Sequence, residues 1–280
     1  METNNPFTEQ ARLMVALLPS VAEQPCFALK GGTAINLFVR DMPRLSVDID
    51  LAYLPVEDRK ASLAGIDTAL GEITTDIAKH IPRAKIQASV LPGTGKRFKL
   101  LVRQGDTNIK IEVSPVLRGS VYPAVNRQLS ARAEKTFGFV RMPVLSFEDL
   151  YGGKICAALD RRHPRDLYDV YWLLQHEGID ERLKNAFLVY LISHNRPMVE
   201  LLAPQLQDIA SLYRKEFEGM TYKPVGLERL QETLQHLVRE IHAAMTDAFC
   251  WPSSRELRIG GIFHCRRWRG CRLSSGRCSI

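Results

Sequence analysis

Alternating apolar and polar positions predict strands in the first half of the chain, and apolar positions at helical spacing predict helices along its whole length. The clearest strand is 47–54, where apolar residues alternate with two aspartates. Further strands are predicted over 27–30, 84–90, 97–103 and 108–114. Helices are predicted over 8–20, 34–40, 57–80, 146–161, 165–176, 180–194, 206–217 and 226–248. The predicted fold class is therefore α+β, a mixed sheet with helices followed by an all-helical C-terminal half.

The change from strands to helices predicts how the chain is divided. Ser146, with two acidic residues after it, is a suitable N-cap for the first helix of the second half. We therefore expect a mixed core at 1–145, a helical domain that completes its active site at 146–249, and a basic tail rich in Cys and Arg at 250–280.

Composition narrows the class of protein. The chain has 280 residues, of which 45% are hydrophobic and 25% charged, as in globular chains with one large domain or two ordinary ones. It has no run of about eighteen uncharged apolar residues, and METNNPFTEQ lacks the basic and apolar regions of a secretion signal. We expect no membrane association and a cytoplasmic location.

The net charge of +7 is concentrated at the C-terminus. Residues 251–280 contain seven Arg, no Lys and one Glu, which leaves +1 for residues 1–250. The basic overall balance therefore does not indicate that the body of the protein binds nucleic acid. Cys26 and Cys156 lie in apolar contexts and are expected to be small buried hydrophobes, and the cysteine and histidine spacings fit no zinc site.

Two acidic residues on one strand are the first candidate site. Asp48 and Asp50 project from the same face, and two like charges this close are unfavourable unless a cation lies between them. Mg²⁺ fits because one or two carboxylates commonly hold it together with substrate phosphates. Glu112 on strand 108–114 is a third candidate, and three carboxylates could hold two metals for in-line phosphoryl transfer. The alternative is a solvated polar face of a two-sided sheet.

Gly31-Gly32-Thr33 separates a predicted strand from a predicted helix. Glycines let a phosphate approach the backbone, a helix N-terminus favours an anion, and the Thr hydroxyl can add a hydrogen bond or a metal contact. The alternative is an ordinary strand-to-helix turn with a Thr cap.

A lysine and two aspartates stand on two successive predicted helices. Lys154 could offset charge that develops on a leaving group. Asp166 or Asp169 could orient that lysine or take a proton from an attacking hydroxyl. The alternative is a helix hairpin whose charged residues form surface salt bridges.

The order of these motifs resembles the DNA polymerase β-like nucleotidyltransferases. The segments FALKGGTAINLF, RLSVDIDLAYL, IKIEVSP and EDLYGGKICAALDRRHPRDLYDVYWL together resemble the AbiEii/AbiGii nucleotidyltransferase toxins, and the similarity covers about residues 25–175 closely. The resemblance implies Mg²⁺-dependent transfer of a nucleoside monophosphate from an NTP to RNA, such as the tRNA 3′ end. It also implies an abortive-infection toxin–antitoxin system for phage defence. The cognate antitoxin would be encoded by the neighbouring gene and would repress its own promoter.

The resemblance also assigns roles by position. Gly32 and Thr33 match the nucleotide-binding motif, where the family commonly has Gly-Ser, and Gly31 precedes them. Asp48 and Asp50 match the metal pair, and Lys154 matches the essential lysine. Asp166 and Asp169 both fit the later essential acid, so the choice between them stays open.

Two other functions remain open at this stage. The same core could transfer nucleotides to a hydroxyl of a protein or a small molecule. A catalytically impaired chain could instead bind an NTP or the antitoxin.

The C-terminal segment departs from the pattern of the rest. After Phe249 the helical periodicity stops, and Arg without Lys together with four cysteines is typical of an out-of-frame reading of GC-rich DNA. We hypothesise a frameshift near codons 249–250, which would leave the tail disordered and the protein impaired. The alternative is a genuine basic arm that contacts RNA phosphates. The coding DNA decides between them.

Overall fold

One mixed sheet organises the first half of the protein. The computed structural model describes residues 6–205 and 207–248. The strands are β1 (Phe27–Lys30), β2 (Asp48–Tyr53), β3 (Lys85–Val90), β4 (Arg97–Gln104), β5 (Thr107–Arg118), β6 (Val125–Gln128) and β7 (Arg141–Val144). Their order in the sheet is β3-β4-β5-β2-β1-β7-β6, with β2 parallel to β5, β1 parallel to β7, and the other pairs antiparallel.

Helices cover one face of this sheet and form the second half of the chain. They are α1 (Pro6–Ala22), α2 (Gly31–Thr33), α3 (Arg59–His80), α4 (Ala131–Phe137), α5 (Phe147–Arg161), α6 (Pro164–His176), α7 (Glu181–Ile192), α8 (Met198–Leu202), α9 (Ala210–Glu216) and α10 (Leu227–Ala248), and α2 continues as a π-helix over Ala34–Val39. α1 and α3 pack against the sheet, while α5 packs against both α6 and α7, and α10 against α6. None of the helices in the described ranges is both long and apolar enough to span a membrane.

Strict alternation along β2 fixes which side of the sheet is polar. Ile49 and Leu51 are fully buried, and they pair in register with the buried Ile111 and Val113 of β5. Full burial of each such side chain contributes about 1.5–3 kcal/mol. A one-residue slip would expose this whole set, so the register is firmly specified and the aspartates stay on the opposite face.

The second half is held by a close helix pair and by helix caps. Ser146 caps α5, because its hydroxyl accepts a hydrogen bond from the backbone N–H of Asp149 at 3.0 Å. Gly152 lies where α5 meets α7, and a Cβ on it would lie 2.9 Å from the backbone nitrogen of Phe187. The helical half is therefore packed backbone against backbone at this point.

The predicted α+β class is confirmed. The elements that were predicted with other bounds, or not predicted, lie where the spacing of apolar residues is irregular. The helix after the glycines begins at Gly31 itself, three residues earlier than predicted. β6, α4, β7 and α8 were not predicted, and the helix expected over 206–217 is found at Ala210–Glu216. The last strand ends at Val144 and α5 begins at Phe147; the division into domains remains a prediction. The tail at 250–280 lies outside the described residues.

Candidate active site

The two aspartates of β2 lie on the face of the sheet opposite α1 and α3, which we call the open face. Asp50 is in register with Lys30 of β1 on one side and with Glu112 of β5 on the other. Asp48 is in register with Lys110, whose ammonium lies 3.0 Å from a Glu112 carboxylate oxygen. The structure therefore places Glu112 beside the aspartate pair. Its role as a metal ligand remains a prediction.

The charge distribution at the pair fits a cation site. Burial raises the pKa of Asp50, and the negative charge of Asp48 raises it further, against the lowering effect of Lys30. A divalent cation would stabilise both charged carboxylates. No three His, Cys, Asp or Glu side chains in the described parts of the chain are grouped as a metal cage. The donors present instead fit Mg²⁺ held by one or two carboxylates and completed by phosphate and water oxygens.

The glycine turn lies directly against this pair. Gly31 has a φ of +73°, and a Cβ on it would lie 2.7 Å from Asp50 Oδ2. A Cβ on Gly32 would lie 2.7 Å from Arg44 Nη2. A side chain at Gly31 would also be strained by its left-handed backbone. The turn thus packs bare backbone directly against Asp50 and Arg44, so both positions require glycine.

Thr33 faces the protein interior. Its side chain is buried, and its hydroxyl lies 2.5 Å from the Asp48 carbonyl oxygen and 2.9 Å from Ser46 Oγ. In the structure this hydroxyl therefore ties the start of β2 to α2 and fixes the backbone of Asp48. A contact of Thr33 with triphosphate or metal remains a prediction.

Behind the turn is a set of charged side chains that we call the buried ion cluster. Its buried members are Arg44, Lys154, Asp166 and Asp169. Arg161 belongs to it from the surface, since its side chain is 62% exposed and only its guanidinium reaches Asp166. The Lys154 ammonium lies 2.9 Å from Asp166 Oδ1 and 3.1 Å from Asp169 Oδ2, so the structure brings together all three residues singled out on the two helices. The alternative of a surface salt-bridge hairpin is wrong for these three, which are at most 6% exposed.

Each aspartate of the cluster has its own arginine. Arg161 Nε donates to Asp166 Oδ2 at 2.6 Å. Arg44 binds Asp169 in a bidentate pair, with Nε to Oδ1 at 2.8 Å and Nη2 to Oδ2 at 2.6 Å. Three cations therefore surround two carboxylates, and the cluster carries one net positive charge.

The cluster keeps both carboxylates ionised. Burial alone would raise the pKa of Asp166, but Lys154 and Arg161 outweigh it and hold that pKa well below its usual range. Arg44 and Lys154 likewise outweigh burial and lower the pKa of Asp169. A carboxylate with a strongly lowered pKa is a weak base, so the geometry favours orienting Lys154 over accepting a proton.

Asn36 connects the cluster to the glycine turn. Its amide nitrogen donates to the Gly32 carbonyl at 2.9 Å and to Asp169 Oδ1 at 2.9 Å. The position of the turn therefore depends on Asp169 as well as on β1.

Sequence reasoning singled out neither Asn36 nor Arg44 nor Arg165. Arg165 Nη1 lies 3.7 Å from Asp48 Oδ2, between the start of α6 and the aspartate pair. Arg44 lies in a loop without periodicity, and its partner is 125 residues away in sequence. Only the dense run of basic residues around Arg165 could have drawn attention to one of the three.

Comparisons with known proteins find a matching family and a similar fold. The profile of a protein family described as nucleotidyl transferase AbiEii toxin, type IV toxin–antitoxin system, matches residues 12–251. No curated protein matches the chain. Among solved structures, the fold is similar to that of MenT4, a nucleotidyltransferase toxin from Mycobacterium tuberculosis H37Rv, with a TM-score of 0.63, 15% identity and 86% of each chain covered. At that identity the likeness shows the fold alone.

Proposed function

The chain belongs to the AbiEii family of nucleotidyltransferase toxins of type IV toxin–antitoxin systems, and we propose that it transfers a nucleoside monophosphate from an NTP to RNA, with tRNA as acceptor, in a Mg²⁺-dependent reaction. One observation carries the proposal. The aspartate pair of β2, the bare backbone of the glycine turn and the positively charged buried ion cluster converge at one end of the sheet. This arrangement suits a metal-bound triphosphate.

The proposed reaction is a single displacement at the α-phosphorus. The acceptor oxygen forms a bond to that phosphorus, the bond from it to the bridging oxygen of the leaving pyrophosphate breaks, and the hydroxyl proton passes to solvent. Mg²⁺ held by Asp48 and Asp50, with Glu112 as a further candidate ligand, would neutralise phosphate charge and favour ionisation of the hydroxyl.

The chain's own residues act mainly by binding and positioning. The backbone of Gly31 and Gly32 would bind the phosphates at the start of α2, and Thr33 fixes the backbone of Asp48. Lys154 offsets charge on the triphosphate, and Asp166 and Asp169 hold its ammonium in place. In this arrangement both acids are needed, and neither serves as the general base.

The biological setting follows from family membership. We propose that a cognate antitoxin controls the protein, that it acts in the cytoplasm, where NTPs and tRNA occur together, and that the system provides phage defence through abortive infection. These proposals rest on the family and not on the site.

Label transfer tests the reaction. The purified protein is incubated with each α-³²P-labelled NTP, Mg²⁺ and bulk tRNA, beside Asp48→Asn and a matched control, Asp76→Asn, on α3. We expect label on tRNA from the wild type and the control, and at least about 100-fold less from Asp48→Asn, because metal stabilisation of phosphoryl transfer contributes several kcal/mol. Circular dichroism checks that both variants fold.

Two outcomes would refute parts of the proposal. Undiminished transfer by Asp48→Asn would refute the metal assignment. Label on protein or on a small molecule in a cell extract, with none on RNA, would replace the acceptor by one of the alternatives left open by the sequence.

A further inference from the structure

The open face extends well beyond the aspartate pair. From Asp50 it runs through Glu112 of β5 to Lys99 of β4 and Ser89 of β3, which are successive partners in register. The next row runs from Asp48 through Lys110 to Leu101 and Gln87, and an outer row joins Arg103 to Lys85. We call the part of this face on β3, β4 and β5 the basic wing. It includes Lys85, Gln87, Lys99, Leu101, Arg103 and Lys110.

The basic wing carries positive charge that the described structure does not neutralise. Lys110 is paired with Glu112. Among the described residues, Lys85 and Lys99 take part in no ion pair. Arg103 lies 3.7 Å from Asp106 of its own turn, and its Nε donates to the Gly105 carbonyl at 2.9 Å. Three cations therefore stand on β3 and β4 without an acidic residue on the same face of those strands.

This face is exposed to solvent. The helices α1 and α3 pack on the opposite side, where α3 covers β4 with its buried Leu100 and Val102, and α1 covers β5. On the open face Leu101 is 38% exposed, in the middle of the basic residues. A positively charged groove follows the phosphates of single-stranded nucleic acid, and Leu101 adds an apolar surface among those charges.

The positions of the two substrates follow from the strand order. The glycine turn follows β1, on one side of β2, whereas the basic wing begins at β5, on the other side. An NTP held at the turn would leave the wing free, with the aspartates between the two. The outer strand of the wing, β3, lies three strand spacings of about 4.8 Å from β2, so the wing reaches about 14 Å from the aspartates. That distance accommodates about four phosphates at the stacked spacing of about 3.4 Å.

We propose that the basic wing binds the sugar-phosphate backbone of the RNA acceptor and leads its terminal hydroxyl to Asp48 and Asp50. This inference rests on the proposed function, because it supplies the acceptor site of that reaction. The donor then enters from the β1 side and the acceptor from the β5 side.

The test removes two positive charges from the basic wing and compares the result with the removal of two positive charges from α3. Lys85→Gln/Lys99→Gln is the wing variant. Lys60→Gln/Lys79→Gln is the control, because both of its lysines are exposed on α3, behind the same sheet. The arginines of residues 251–280 are present in every protein, so their contribution to RNA binding cancels.

Binding of bulk tRNA is measured by filter retention over a range of salt concentrations. Each lost phosphate contact is expected to lower the slope of log affinity against log salt by about 0.7, so the wing variant should lose about 1.4. In the label-transfer assay the same variant should show a raised KM for tRNA with an unchanged KM for the NTP. The control should match the wild type in both assays.

Failure of the inference and failure of the proposed function are separate outcomes. The first outcome is that the wild type labels tRNA while the wing variant keeps the wild-type salt slope and the wild-type KM for tRNA. That outcome would overturn the proposed acceptor site but not the proposed reaction. A wild type that binds tRNA through the wing lysines but labels none would retain the surface and refute the reaction. Equal losses in the wing variant and the control would also overturn the inference, because the effect would then be one of net charge.

Discussion

Replacing Gly152 with alanine is expected to destabilise the protein relative to the same change at Gly153. The two glycines are neighbours inside α5 and gain the same helix propensity from the substitution, about 1 kcal/mol. A Cβ at Gly152 would lie 2.9 Å from the backbone nitrogen of Phe187 and 3.1 Å from the carbonyl carbon of Ala186. A Cβ at Gly153 would meet only the ring of Tyr190, at 3.9 Å.

The size of the destabilisation depends on which atoms must move to make room for the new Cβ. Atoms 2.9 Å apart must separate by about half an ångström or more to reach ordinary contact, and the obstacle at Gly152 is the backbone of α7, which cannot rotate aside. Overpacking of this kind costs about 1–3 kcal/mol. Because the propensity gain cancels between the variants, the difference in the free energy of unfolding between them should be about 1–3 kcal/mol, with Gly153→Ala the more stable.

Urea unfolding followed by circular dichroism measures this difference, and thermal unfolding should show it as roughly 2–4 °C per kcal/mol. Equal midpoints for the two alanine variants would refute the close approach of α5 and α7. A Gly153→Ala protein less stable than the wild type would refute the argument from helix propensity.

Three further outcomes are expected. Arg44→Met should lower the free energy of unfolding by about 3–5 kcal/mol in urea titration, since it leaves the buried Asp169 without its bidentate partner; a loss below 1 kcal/mol would contradict the pairing. A hydrogen bond from Arg97 lowers the pKa of Asp67 to about 2, so the stability advantage of the wild type over Asp67→Asn should be full above about pH 4 and vanish as the pH falls towards 2; a constant difference would argue against it. Burial raises the pKa of the Cys156 thiol to about 12, so iodoacetamide at pH 8 should modify it only after unfolding, as peptide mass spectrometry can show.

The aspartate pair was predictable because it depends only on local pattern. A strand places every second side chain on one face, so the alternation around Asp48 and Asp50 was enough to group them. Placing Glu112 near the pair required one further assumption, that its strand lies beside β2. The structure confirms this, because β5 pairs with β2 and Glu112 is in register with Asp50.

Other elements could not be found from local pattern. β7 contains Pro143, which cannot donate to a strand ladder and argues against a strand in sequence. β6 has no apolar alternation, because most of its four residues are polar. These strands form through pairing with one another and with β1, which is tertiary information.

The buried ion cluster shows a different limit. The sequence indicated that Lys154, Asp166 and Asp169 belong together, because helical spacing and the family motifs placed them. It did not indicate their burial, since charged residues at such positions are usually solvated. Burial became possible through Arg44, whose partner is distant in sequence and follows no periodic rule.

The pairing of Arg44 with Asp169 makes the two halves of the chain interdependent. Arg44 precedes β2, whereas Asp169 belongs to α6, and Arg40 reaches across in the same way to Tyr151 and Glu177. If the backbone were cleaved between Val144 and Phe147, each fragment would hold charged groups whose partners are in the other. Exchange of one half between related proteins would meet the same obstacle unless both members of each pair were exchanged together. The buried ion cluster thus also connects the two halves of the chain, and two fragments that regain their structure only on mixing would be the expected split form of the protein.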